Sequence, residues 1–132
     1  MVSAFCATLT GSVLFLSTSM AVAETYPSRP IKLIVPYAPG GNTDIIARIF
    51  SQKLSERVGQ PVVIDNRGGA SGTIGVGIAA KSINDGYTIV IGDVGSLVVA
   101  NHAIPSRPYD TIKDLAPIGL ISTVSILSLI HI

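Results

Sequence analysis

The sequence predicts an α/β fold built on a mainly parallel sheet. Three observations carry this. "IKLIVPY" (31–37) is a near-continuous apolar run, as expected of a strand buried on both faces. Further strand-like runs then alternate with helical patterns, the order that builds right-handed β-α-β crossovers. Each of the first three strand-like runs ends in a loop of small and polar residues, and ligands of such sheets sit at the carboxyl ends of strands.

"TDIIARIFSQKLSERVG" predicts a helix. Ile46, Phe50, Leu54 and Val58 recur at a spacing of four, with Ile45 and Ile49 beside them, as one apolar stripe. Asn42 or Thr43 is expected to cap it, Asp44 suits its positive end, and Gly59 stops it. "PVVIDN" is the second strand. "GGASGTIGVGIAAKSI" reads as a Gly-rich loop entering a short helix of small residues. "DGY" is a turn and "YTIVIGD" the third strand. "VGSLVVANHAI" suggests a short helix, and "PSRPYDTIKDLAP" a Pro-rich connector with one helical turn. "IGLISTVSILSLI" suggests a fourth strand, from its Ile, Val and Thr content.

The topology places "APGGNTD", "RGGASGT" and "GDVGS" on one rim. Glycine lets backbone N–H groups approach a ligand, and a helix N-terminus adds unpaired donors and partial positive charge. Together these suit a carboxylate or phosphate. The simpler reading, that the glycines only permit tight turns, explains either loop alone; the repeat of the pattern favours anion binding.

An enzyme reading rests on Gly75, Gly77 and Ala80, which fit G-x-G-x-x-A, with Asp93 18 residues after Gly75. That motif should start where a strand ends, yet "PVVIDN" ends at Asn66, nine residues before Gly75. Ser71 and Ser96 have no evident base, and Asp44 and Asp65 are more simply helix-end and strand-end residues than an acid–base pair. His102 and His131 stand alone, without metal-ligand spacing, and no cofactor motif is convincing. Charged residues are 13% of the chain and the net charge is +1, which gives no footprint for nucleic acid.

Residues 1–23 read as an export signal: an apolar, small-residue run ends in "AVA", an A-x-A cleavage site at Ala23. No Lys or Arg precedes the run, so the true start lies upstream or the signal is atypical. A membrane anchor fits less well, because Thr, Ser and Gly interrupt a run already short for a span of about 20 residues. Cys6 lies inside the signal, leaving a mature chain without cysteine.

"YPSRPIKLIVPYAPGGNTDIIAR", "LSERVGQPVVIDNRGGASGTIG", "DGYTIVIGD" and "PYDTIKDLAPIGLI" resemble, in order and spacing, the Bug family of extracytoplasmic solute receptors. These serve tripartite tricarboxylate transporters. The resemblance covers Tyr26 to about Ile121. It implies a periplasmic, two-lobed, type II flytrap that takes a small carboxylate (a di- or tricarboxylate, amino acid or aromatic acid) and delivers it to membrane subunits. It implies no cofactor and no catalytic residue. The first motif falls on Tyr37, Ala38, Pro39, Gly40, Gly41, Asn42, Thr43 and Asp44. The second falls on Gly69, Ala70, Ser71 and Gly72, and the third on Gly92, Asp93 and Ser96.

The chain departs from the family pattern in places. Where the family reads close to N-R-P-G-A-G-G, Gly68 replaces proline and Ser71 replaces glycine. "GDVGS" replaces a small, Thr-rich loop; a carboxylate there repels an anion, so Asp93 either points away or favours a ligand with an amine. Family members are also longer. The resemblance therefore implies a first lobe over 24–120, with 121–132 as the start of the interlobe crossover or an aberrant, aggregation-prone tail of a truncated or frameshifted product. The second lobe would then be largely absent, and a non-functional remnant is the rival reading.

Overall fold

The computed structural model describes residues 25–124. Strand β1 (Ile31–Val35) is central. It pairs in parallel with β2 (Val62–Asn66) on one side and β3 (Thr88–Val90) on the other, giving the order β2-β1-β3. Leu33 is in register with both Ile64 and Ile89. Because β1 is covered on both faces, Ile31, Leu33, Ile34 and Val35 are all buried, as its unbroken apolar run predicts.

Helix α1 (Asn42–Val58) joins β1 to β2, and α2 (Thr73–Ala80) lies between β2 and β3. The chain moves from β1 to β2 in one direction and from β2 past β1 to β3 in the other. With right-handed crossovers, the two helices cover opposite faces. Leu33, Val35 and Ile91 accordingly form one cluster with Ala47 of α1, while Ile34 turns to the other face.

The buried line of α1 is not the predicted isoleucine stripe. Asp44, Ala47 and Ser51 face inward; Ile46 and Phe50 flank the core half-buried, and Ile45 and Ile49 are exposed. Small side chains at the closest approach let the helix axis lie near the sheet, which displaces the bulky ones to its flank. Gly59 ends α1 as expected, left-handed at φ 71° with its N–H bonded to Ser55 O.

Beyond β3, the expected short helix is a wide π-type turn at Gly95–Val99 followed by α3 (Ala100–Ala103). The fourth strand is not formed in the described residues: 118–124 are irregular and exposed, and 125–132 lie outside them. β-branched composition makes no strand without a paired neighbour. Ile121 and Ser122 instead sit beside Ile46, Ile49 and Phe50 of α1.

Candidate functional site

The strand order reverses at β1. The carboxyl ends of β1 and β3 are therefore the switch point of the sheet, the position where ligands of such folds bind. The three Gly-rich loops meet there. A Cβ built on Gly68 would lie 3.2 Å from Ala38 N, and one built on Gly72 would lie 3.2 Å from Tyr37 Oη and 3.0 Å from Ser96 Cβ. One built on Gly95 would lie 3.3 Å from Asp93 Oδ1.

The first loop is held from behind by Asp44. Its carboxylate, 2% exposed, accepts from Gly40 N at 2.9 Å, Arg48 Nε at 2.8 Å, Arg48 Nη2 at 3.2 Å and Asn66 Nδ2 at 2.9 Å. The Asn66 amide also donates to Tyr37 O at 3.2 Å, so the end of β2 is tied to the turn after β1. These donors, Arg48 first and then the Gly40 and Asn66 amides, hold the Asp44 carboxyl down at about 2. Neither Asn42 nor Thr43 caps α1, contrary to expectation. Gly41 occupies the cap position and no side chain bonds across it, because Asp44 folds back to the turn instead. The start of α1 is left with backbone donors beside the exposed Ala38, Pro39, Gly40, Gly41 and Asn42.

The second loop is strained. Gly69 has φ 129° and Gly72 φ 87°, and between them Ala70 and Ser71 both take left-handed backbone, at φ 46° and 55°. Two adjacent non-glycine residues in this region cost energy, and such conformations concentrate at binding sites. Gly69, Ala70 and Ser71 are exposed, and Gly72 is buried against Tyr37 and Ser96.

The third loop is organised by Asp93. Its Oδ1 accepts from Ser96 N and Ser96 Oγ, both at 2.9 Å, while Asp93 N donates to Ser96 Oγ at 3.2 Å. This reciprocal pair resembles a capping box and opens the π-type turn. Tyr37 Oη donates to both Asp93 oxygens at 2.8 Å, joining the first loop to the third. Burial and the Asp93 carboxylate push the Tyr37 hydroxyl up to about 12. Burial alone would raise the Asp93 carboxyl, but the Ser96 amide and the two hydroxyls outweigh it and hold it below its usual range.

Of the residues singled out by sequence, Asp44 and Ser96 support the loops from within, being 2% and 0% exposed. Tyr37, Thr43 and Gly92 are half-buried, and Asp93 lies exposed beside Tyr37. Sequence reasoning missed Asn66 and Arg48, whose role depends on a carboxylate they meet only in the fold. It also missed Tyr109, a buried residue whose hydroxyl donates to Ser96 O.

The dinucleotide reading loses its glycines. Gly75 and Gly77 lie within α2, where an added Cβ would meet Arg67 O at 2.6 Å or Pro108 Cγ at 2.6 Å. They are packing positions, and the turn between β2 and α2 begins well before them. A separate cleft of about 400 Å³ lies at the opposite, amino end of β1 and β3, lined by Arg29, Lys32, Lys81 and Asp85 among others. Its Arg29 is already paired with Asp85 at 2.6 Å and rests on the Tyr87 ring. Among the described residues no cluster of His, Cys, Asp and Glu could hold a metal ion.

A parallel sheet with flanking helices and Gly-rich rim loops at its switch point is the architecture of a periplasmic-binding-protein lobe, and the solved structures agree. MatC of Rhodopseudomonas palustris, solved with bound malate, is 35% identical and superposes with a TM-score of 0.65 over 67% of this chain and 30% of its own. R. palustris Rpa4515, solved with adipate, is 40% identical, with a TM-score of 0.58 over 66% and 29%. The profile of the tripartite tricarboxylate transporter family receptor matches residues 46–131, and the chain belongs to that family. Protein BugT of Bordetella pertussis is 46% identical over 103 residues, 77% of this chain and 32% of BugT. The chain thus spans about a third of the length of the curated relatives it matches. The family is one of receptors and points to an extracytoplasmic location.

Proposed function

We propose that this chain forms the carboxylate-holding lobe of a periplasmic solute receptor, which captures a small carboxylate for the membrane subunits of a tripartite tricarboxylate transporter. The convergence of three rim loops at the β1/β3 switch point carries this reading. The uncapped start of α1 and the strained 69–72 turn present backbone donors there. The malate and adipate held by two relatives are small carboxylates of the expected kind. In this reading residues 1–23 direct export and are removed, and the lobe occupies 24–120. Protein donors at a helix start and in a nest-like turn bind an anion without a side-chain cation. Calorimetric titration of the chain with a panel of di- and tricarboxylates, amino acids and aromatic acids tests the proposal. Saturable heat with at least one member is expected; silence across the panel at millimolar concentration would sink it for this chain.

A further inference from the structure

We infer that Asp93 gives this seat a subsite for a cationic group, so that the preferred solute is a carboxylate that also bears an ammonium group. This rests on the carboxylate seat proposed above. An ionised carboxylate offers about four lone-pair positions. Three hydrogens reach Asp93 from within the protein: the Ser96 N–H and the Ser96 hydroxyl, both on Oδ1, and one Tyr37 hydroxyl hydrogen shared between the two oxygens. Oδ2 meets only that shared hydrogen. Oδ2 therefore keeps unfilled acceptor positions on an exposed residue of the rim.

The charge of Asp93 is also uncompensated. Among the described residues it makes no ion pair: Arg48 and Arg67 are committed to Asp44 and Asp65, each at 2.8 Å, and Arg107, which with Asp93 acts on the Tyr109 hydroxyl, donates to the Asn101 carbonyl at 3.0 Å. The low carboxyl affinity for protons fits a group that stays ionised. A solute with carboxylates at both ends brings a second negative charge toward this group. A solute with an ammonium group supplies the missing cation and makes charge-assisted hydrogen bonds to the free Oδ2 positions. The simpler role, a residue that only organises the rim loops, uses both oxygens but leaves the remaining Oδ2 positions and the negative charge without a partner.

Matched ligand pairs decide between them: aspartate against succinate and glutamate against glutarate, titrated calorimetrically into the chain and into Asp93→Asn. Asparagine keeps an oxygen for Tyr37 and Ser96 but removes the charge. The expected result is binding of the amino member tighter by about tenfold or more, and collapse of that preference in Asp93→Asn. Equal or tighter binding of succinate and glutarate by the unaltered chain overturns the inference while leaving the carboxylate seat intact. So does an unchanged preference in Asp93→Asn. Absence of heat with all four overturns the inference, and the wider carboxylate panel then decides the seat itself. If Asp93→Asn does not melt cooperatively, the pairwise preference of the unaltered chain decides alone.

Discussion

The Tyr37 hydroxyl lies 2.8 Å from each carboxylate oxygen of Asp93, across 56 residues of sequence, and this bond closes the loop after β1 onto the loop after β3. Burial and this neighbour raise the folded Tyr37 titration from 10.0 to about 12. A group whose folded pKa is raised favours the folded state below its unfolded pKa and loses that contribution as pH climbs through the folded value. Stability should therefore decline between pH 10 and about 12, and Tyr37→Phe should flatten this limb. The same variant removes a hydrogen bond to a charged group and should cost about 1–2 kcal/mol near neutral pH. Denaturant melts across alkaline pH measure both effects.

Asp44 predicts the acid limb. Its folded carboxyl sits at about 2 against an ordinary 3.8, so its contribution is present above 3.8 and disappears as pH falls toward 2. Asp44→Asn should lose stability at neutral pH and show a weaker decline over that window. Asp44→Ala should be worse, because the Gly40, Arg48 and Asn66 donors lose their shared acceptor. Melting temperature against pH for the three proteins tests this; parallel acid limbs would show that Asp44 does not govern it.

Ser71 holds left-handed backbone at φ 55° with no local need for its side chain. Glycine relieves the conformational cost at a smaller penalty from the unfolded chain, so Ser71→Gly should stabilise by about 0.5–1 kcal/mol. Ser71→Val should destabilise by more than 1 kcal/mol, roughly, because β-branched residues tolerate this region poorly. Chemical denaturation midpoints provide the comparison.

Gly75→Ala tests whether this glycine is a packing position. A methyl group there would meet Arg67 O at 2.6 Å and Pro36 Cα at 2.7 Å, both backbone atoms. Overpacking of about 1–3 kcal/mol should outweigh the helix-propensity gain of about 1 kcal/mol. A more stable variant would contradict the close approach of α2 to the strand ends.

Much of this architecture was legible because its signals are local. The apolar run of β1, the Gly59 stop and the three rim loops follow from short stretches and the carboxyl-end rule. What was not legible depends on partners far away in sequence. Asp44 is buried because Asn66, 22 residues on, and Arg48 close over it. Helical periodicity named the isoleucines of α1, yet the fold buries Asp44, Ala47 and Ser51, since helix-to-sheet distance selects small side chains. The run after Ile118 looked strand-like by composition alone, and composition carries no information about a pairing partner. For the candidate site, the loops were readable, but the Tyr37–Asp93 bond that joins two of them was not.

The central claim is that the rim loops seat a carboxylate through backbone donors. Amide chemical shifts of the isotopically labelled chain, followed while aspartate is added to millimolar levels, test it most directly. The account predicts saturable shifts concentrated at Gly40, Gly41 and Asn42, at Gly69 to Gly72, and at Ser96. Largest shifts around Arg29, Lys32 and Lys81, in the cationic cleft at the other end of the sheet, would contradict it, as would no saturable shift at all.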